Sequence, residues 1–288
     1  AWRAALARYA QEDTLDDPML TYMFAPATIF DPNAPYGQTV MLSQALPWPG
    51  KRTARGDAEL YEAEMVAEDY ETARLELALQ ACRLYDEYYL VTRQLEINDA
   101  TRRVVDQLKP AAEASYAIGR GGLYEPLQAV VMLAQLERER IALESERAVL
   151  VAQLNELMHR PPDAALPPPP PSLEPPAEER GDTRALQQEA LAGRPELRAL
   201  GAQKSSLDAR IEASEREYYP DFTVIAEYNS MALMPSEQVM VGVSAAIPLA
   251  LDRRAAGEDE ARARLALNDS QRTVLEDRIR SEVHQALT

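Results

Sequence analysis

The chain has 288 residues and a formal net charge of −17. That balance excludes a nucleic-acid partner, whose phosphates require a basic surface. It fits either a solvated surface or a lumen that favours cations. A single cysteine, Cys82, excludes an intrachain disulfide and is expected as a small apolar residue in a helix seam.

The elements follow in order. Residues 1–17 read as the end of a helix. Two strands are expected next, over about 19–30 and 38–46. Along the second, Val40, Leu42, Gln44 and Leu46 alternate with Met41, Ser43 and Ala45, the period-2 pattern of a strand with two unlike faces. Between them, Asp31-Pro32-Asn33-Ala34-Pro35-Tyr36-Gly37 is turn chemistry. Residues 57–109 carry apolar positions at Leu60, Val66, Ala73, Leu77, Leu84, Tyr88, Val91, Leu95, Val105 and Leu108. Their spacings of mostly three, four and seven predict a coiled-coil-like seam. A second helical run, about 125–159, offers Leu127, Val130, Val131, Leu136, Leu143, Leu150, Leu154 and Leu157. Between the runs, Gly119, Gly121 and Gly122 end one helix and Pro126 suits the first turn of the next. An antiparallel helical hairpin follows, with arms of about 50–80 Å at ~1.5 Å per residue.

Residues 161–176 hold nine of the 21 prolines, which predicts an extended, polyproline-like strap serving as a linker. Residues 182–217 return as helix. Two further strands are expected over 222–229 and 239–247. In the first, Phe222, Val224, Ala226 and Tyr228 share a face; in the second, Val239, Val241, Val243, Ala245 and Ile247 do. Each strand is expected at about ten residues, the length a tilted strand needs to cross a bilayer. Residues 249–288 begin another long helix. The organisation expected is therefore a helix end (1–17), a first β-hairpin (18–47) and a helical hairpin (48–160, tip at 117–126). A proline strap (161–181), a helix (182–218), a second β-hairpin (219–248) and the start of a second helical hairpin (249–288) complete it.

The strand–turn–helix junction occurs twice. At an offset of 201, Ser43 meets Ser244, Leu46 meets Ile247, Pro47 meets Pro248, Arg52 meets Arg253 and Gly56 meets Gly257. Asp17-Pro18-Met19-Leu20 resembles Tyr219-Pro220-Asp221-Phe222 at 202. Two copies of one supersecondary unit set the architecture. Carried forward, the repeat predicts a second tip near about residue 320 and a longer helix before residue 1. No leader peptide, acylated cysteine or apolar transmembrane helix is read in the sequence. Two hairpins give only four strands, too few to close a barrel, and a free hairpin leaves edges exposed. Other chains must supply the rest, or the hairpins pack on something else.

These residues resemble the TolC family of outer-membrane efflux channels, most of all its heavy-metal branch. The likeness rests on Gln44-Ala45-Leu46-Pro47-Trp48-Pro49-Gly50-Lys51-Arg52 at the first corner and Tyr218-Tyr219-Pro220-Asp221-Phe222 at the start of the third strand. It extends through the tip at 119–129, Leu154-Asn155-Glu156-Leu157, and Arg194-Pro195-Glu196-Leu197. The resemblance implies a mostly α fold with a small β part, whose four strands form one third of a trimeric twelve-stranded transmembrane barrel. It also implies a homotrimer in the outer membrane of a Gram-negative bacterium, with a large periplasmic tunnel. A periplasmic adaptor would bind the helical tip and connect it to an inner-membrane pump. An acidic ring narrowing the periplasmic entrance would belong to the second hairpin, beyond Thr288.

On this likeness, Gly119, Arg120, Gly121, Gly122 and Leu123 form the adaptor-docking tip. Pro47, Gly50, Lys51, Arg52, Pro248 and Arg253 form the barrel-to-helix corners. Val40, Leu42, Phe222, Val224, Tyr228, Val239, Val241 and Val243 supply the barrel faces, one toward lipid and one toward water. Pro47 and Pro248 end the strand ladders by removing an amide donor. Lys51, Arg52, Arg55, Arg253 and Arg254 are expected to pair with lipid headgroups or with neighbouring carboxylates. Gly56 and Gly257 would permit close helix packing. No catalytic constellation, metal site or cofactor motif is found. His159 and His284 lie in unrelated segments, and Gly119–Gly122 lacks the Lys-Ser/Thr of a phosphate loop. Met19, Met23, Met41, Met231, Met234 and Met240 are read as barrel and loop surface rather than Cu(I) ligands. The function expected is passive conduction of efflux substrates, heavy-metal cations among them. The competing readings are a soluble coiled-coil scaffold, which would need no detergent, and a periplasmic adaptor, which would carry one hairpin within a lipoyl-like domain.

Overall fold

The computed structural model describes residues 2–26, 36–173, 182–232 and 234–287. It is mostly helical: α1 (Trp2–Glu12), β1 (Met19–Phe24), β2 (Gln38–Leu46), α2 (Lys51–Ala117), α3 (Tyr124–Leu157), α4 (Thr183–Gly193), α5 (Pro195–Arg216), β3 (Asp221–Asn229), β4 (Val239–Ala246) and α6 (Leu251–Leu287). The strands form one antiparallel sheet in the order β1-β2-β3-β4. The duplication is visible in the elements: β2 and β4 start at Gln38 and Val239, 201 positions apart, and β1 and β3 at Met19 and Asp221, 202 apart. The chain divides into two compact units, residues 1–72 with 180–288, and residues 73–179.

The first unit holds the sheet with α1, the start of α2, and α4 to α6. Its buried helix positions are dominated by alanine: Ala5, Ala54, Ala58, Ala63, Ala199, Ala209 and Ala261, joined by Leu197, Leu207 and Ile279. Small side chains let helices approach closely, and the Ser206 hydroxyl uses that closeness to donate to the Ala58 carbonyl at 2.9 Å. Gly56 serves the same end, since a Cβ there would lie 3.3 Å from the Tyr9 ring. Gly257 differs: it has open space around it, so the packing role expected for both glycines applies to Gly56 alone within this chain.

The second unit contains an antiparallel α2–α3 hairpin around Tyr88, Val91, Leu95, Leu143 and Leu150. The buried Asn98 donates from its amide to the Leu136 carbonyl and to Glu139, a polar contact that can fix the register of such a seam. Arg102 and Arg140 both reach Glu137, and the Arg140 hydrogen bond holds that carboxyl below its usual range.

Several expectations are corrected. Leu77, Leu108, Leu127, Val130 and Val131 are exposed, so the seam is shorter than their periodicity suggests. Cys82 is exposed too: it falls off the 84, 88, 91, 95 spacing that faces α3. α2 runs through Pro110 to Ala117, up to the glycines expected to end it; a proline inside a helix costs one amide donor. The single helix expected over 182–217 is two, broken where Arg194 takes an extended conformation (φ −69°, ψ 122°) before Pro195. β1 is six residues and ends at Phe24, before Ala25 and Pro26; residues 27–30 of the expected span and the turn at 31–35 lie outside the described residues. The strap over 161–173 is more than a linker. Leu166 packs on the hairpin core, the Tyr88 hydroxyl donates to the Pro167 carbonyl, and Arg93 donates to the carbonyls of Pro169 and Pro170.

Candidate functional site

Cross-strand partners in an antiparallel sheet project to the same face. The register pairs Val40 with Tyr22 and Tyr228, Leu42 with Leu20 and Ala226, and Leu46 with Phe222. It further pairs Val224 with Val243, Ala226 with Val241 and Tyr228 with Val239. All eight residues expected on strand faces therefore lie on one side of the sheet. That side runs unbroken from Phe24 to Val243 and is apolar except for Gln38 and Gln44. The opposite side carries Thr21, Thr39, Ser43, Thr223, Glu227, Asn229 and Ser244 among methionines and alanines. The outer edges of β1 and β4 have no strand partner among the described residues.

At the first corner, β2 ends at Leu46 and Pro47 terminates the ladder. Gly50 turns the chain into α2 with φ +89°, a left-handed conformation, and a Cβ there would fall 1.2 Å from the Arg216 guanidinium. That guanidinium donates to the Pro49 carbonyl at 3.2 Å. Trp48 stacks on Tyr219 with ring centroids 5.0 Å apart, and its backbone N–H donates to the Asp221 carboxylate at 2.9 Å. Lys51 is only 2% exposed. Its ammonium donates to the Tyr219 carbonyl and the Asp221 carboxylate, both at 2.9 Å, and lies 3.8 Å from Glu217. Arg55 pairs with the same Glu217. Lys51 is thus closed off from lipid headgroups, and the carboxylate alternative holds for it. Arg52 sits 3.8 Å from Asp13. Asp221 and Glu217 complete this network but had no assigned role from sequence. Asp221 lay inside a quoted motif, and its signal was an acidic residue two positions after a repeated tyrosine at a strand start.

At the second corner, Pro248 follows β4 and Arg253 is exposed in the first turn of α6. Arg254 donates to the Glu217 carbonyl at 2.7 Å. The five corner cations expected to act alike are therefore divided among different partners.

The tip lies in the second unit. Gly119 adopts φ +71°, and the amides of Gly119, Arg120 and Gly121 close the α2 terminus on the carbonyls of Tyr116 and Ser115. Gly121 has little room, since a Cβ would lie 3.0 Å from the Glu125 carboxylate. Gly122 has room, its nearest neighbour being the Tyr124 amide at 4.0 Å. Ile118, Leu123, Tyr124 and Leu127 stand exposed around this reversal. Pro126 occupies the third position of α3, where its missing N–H has no helical partner to lose.

No helix among the described residues is long and apolar enough to cross a membrane, and no group of three His, Cys, Asp or Glu there could hold a metal ion. The architecture, long helices running into a four-stranded antiparallel sheet, is a fold shared with solved outer-membrane channels. No protein-family model and no curated protein matches the sequence. Solved structures do share its fold. The outer membrane protein VceC from Vibrio cholerae superimposes with a TM-score of 0.76 at 18% identity, over 96% of this chain and 70% of its own. CusC, described in terms of transmembrane channel formation, gives 0.71 at 17%, over 99% and 68%. The MtrE outer membrane channel of Neisseria gonorrhoeae gives 0.71 at 15%, over 99% and 65%. The likeness is as good to VceC and MtrE as to CusC, so the fold does not single out one branch of these channels.

Proposed function

We propose that this chain is a subunit of an outer-membrane channel that conducts efflux substrates passively from periplasm to exterior. The observation that carries this reading is the register, which gathers the apolar residues of four strands on one face and leaves both sheet edges open. An apolar face of that kind suits lipid, a polar reverse suits a water-filled lumen, and open edges are tolerable in a bilayer only when a barrel closes. Three copies would close twelve strands. The exposed apolar residues around Gly119–Leu123 support docking of a periplasmic adaptor, and through it an inner-membrane pump. The acidic balance and the corner motif support cations, heavy metals among them, as cargo. A soluble scaffold would leave the apolar sheet face uncovered, and an adaptor would not carry the duplicated strand–helix corner.

The test is oligomeric mass in mild detergent together with conductance in a planar bilayer. A conducting trimer is expected. A chain that stays soluble and monomeric without detergent and passes no current would overturn the reading.

A further inference from the structure

The α2–α3 and α5–α6 pairs share a stretch of sequence that the duplication does not explain. Leu95, Ile97, Asn98, Asp99, Arg102 and Val104 of α2 recur in α6 as Leu265, Leu267, Asn268, Asp269, Arg272 and Val274, 170 positions on rather than 201. At the offset of the duplication, Asn268 instead meets Ala67 and Asp269 meets Glu68. The likeness calls for a shared packing role.

Each stretch makes the same contact with its own antiparallel partner. The Asn98 amide donates to the Leu136 carbonyl at 3.2 Å and to the Glu139 carboxylate, three residues further along α3, at 3.1 Å. The Asn268 amide donates to the Leu200 carbonyl at 3.3 Å and to the Gln203 side-chain oxygen, again three residues further along, at 2.7 Å. One position beyond those acceptors stands a cation that feels the neighbouring aspartate. Lys204 lies 3.0 Å from Asp269. Arg140 is held above its ordinary pKa first by its hydrogen bond to Glu137 and, in smaller part, by the charge of Asp99. Both asparagines are buried, and the Oδ1 of each has no hydrogen-bond partner among the described residues.

That geometry adds little stability. The two leucine carbonyls lie inside helices, where backbone amides already serve them, and Glu139 is exposed and Gln203 half-buried, so water can replace the asparagine. A buried Oδ1 without a donor carries a desolvation penalty. What the amide supplies is direction. Ile97 and Val104, seven residues apart, form an apolar stripe 65% and 54% exposed; Leu267 and Val274 form its counterpart, 57% and 69% exposed. Turning either helix by about 100°, one residue, would bring Ile97 or Leu267 into the seam in place of the asparagine. Apolar burial favours that rotated packing, and the amide contact with its adjoining charges opposes it.

We infer that Asn98 and Asn268 are two instances of one phase lock, each fixing the rotation of a long helix against its antiparallel neighbour at a cost in stability, so that the apolar stripe stays outside the pair. The inference goes beyond the channel reading and does not depend on it. Each lock lies within one compact unit and needs no second copy.

The test is spin-label distance in the full chain, in a Cys82→Ser background diluted with unlabelled chains so that pairs within one copy report. Glu215→Cys with Arg262→Cys reads α5 against α6, and Asp106→Cys with Arg138→Cys reads α2 against α3. Each pair is expected to give one narrow distance distribution. Asn268→Leu should broaden or split the first and leave the second alone, and Asn98→Leu should do the reverse. Each leucine variant should also raise the thermal midpoint or leave it in place, because a buried acceptor without a donor is removed. A narrow, unshifted distribution in a leucine variant overturns the lock at that pair. A lower midpoint, or a chain too unstable to label, overturns it as well, since the asparagine is then a stabilising contact and not a specifying one. Absence of conductance in the same preparation overturns the channel reading and leaves the locks standing.

Discussion

The Lys51 ammonium lies 2.9 Å from Asp221 across 170 residues of sequence, pinning the first residues of α2 to the first residue of β3. Lys51 is buried and Asp221 is nearly half exposed. Removing the lysine therefore leaves a carboxylate, a carbonyl and Glu217 without their shared donor, rather than a fully buried orphan charge. Lys51→Met should lower stability by about 1–3 kcal/mol, less than the loss for a wholly buried pair. Thermal dissociation of the detergent-solubilised oligomer measures it. Lys51→Met with Asp221→Leu should restore part of the loss, and simple additivity in that double-mutant cycle would show the two groups to be uncoupled.

Gly50 combines two constraints that can be separated. Its left-handed φ penalises any side chain by about 1–2 kcal/mol, and the Arg216 guanidinium occupies the space of a Cβ. Gly50→Ala should therefore be more destabilising alone than in an Arg216→Ala background, where only the backbone strain remains. Equal effects in both backgrounds would show that the guanidinium simply moves aside.

How much of this was legible beforehand follows from what each signal encodes. A period of two in Val40–Leu46 and Val239–Ile247 reports the faces of a strand directly, so the shared apolar face could be read residue by residue. The pairing of β2 with β3 could not, because nothing local to Gln38–Leu46 names a partner nearly two hundred residues away. Lys51 was grouped with surface cations because it sits among arginines; its burial comes from Asp221 and Tyr219 closing over it, which is tertiary. The helix start at Arg194-Pro195 is legible from the motif itself, since proline suits the first helical turn and disfavours helix at the residue before it. Cys82 illustrates the reverse error: its apolar character suggested the seam, while its position relative to Tyr88 and Val91 excluded it.

The tip offers a clean separation of docking from folding. Gly122 has no positive φ and no neighbour closer than 4.0 Å to a built Cβ, unlike Gly119 with its φ of +71°. Gly122→Asp should leave the oligomer assembled and conducting while efflux-dependent resistance in cells falls toward that of a deletion strain. Gly119→Ala should instead lower the stability of the reversal, by about 1 kcal/mol. Normal resistance with Gly122→Asp would count against a partner at this end of the hairpin.

The two faces of the sheet make opposite demands, and this distinguishes a membrane barrel from any soluble use of the same sheet. Val243 and Val224 are directly opposed at mid-strand on the apolar face, and Glu227 projects to the other side between Met41 and Met240. An arginine facing lipid near the midplane costs about 2–4 kcal/mol, whereas a lumen-facing change alters selectivity with little effect on stability. Val243→Arg should thus sharply reduce the yield of assembled protein in membranes. Glu227→Gln should assemble normally and weaken cation preference, since each copy would lose one negative charge from the lumen wall. Yield in membranes and the reversal potential across a KCl gradient read the two effects. If Val243→Arg assembles at full yield while Glu227→Gln leaves the reversal potential unchanged, the faces are assigned the wrong way round or the sheet does not cross a bilayer.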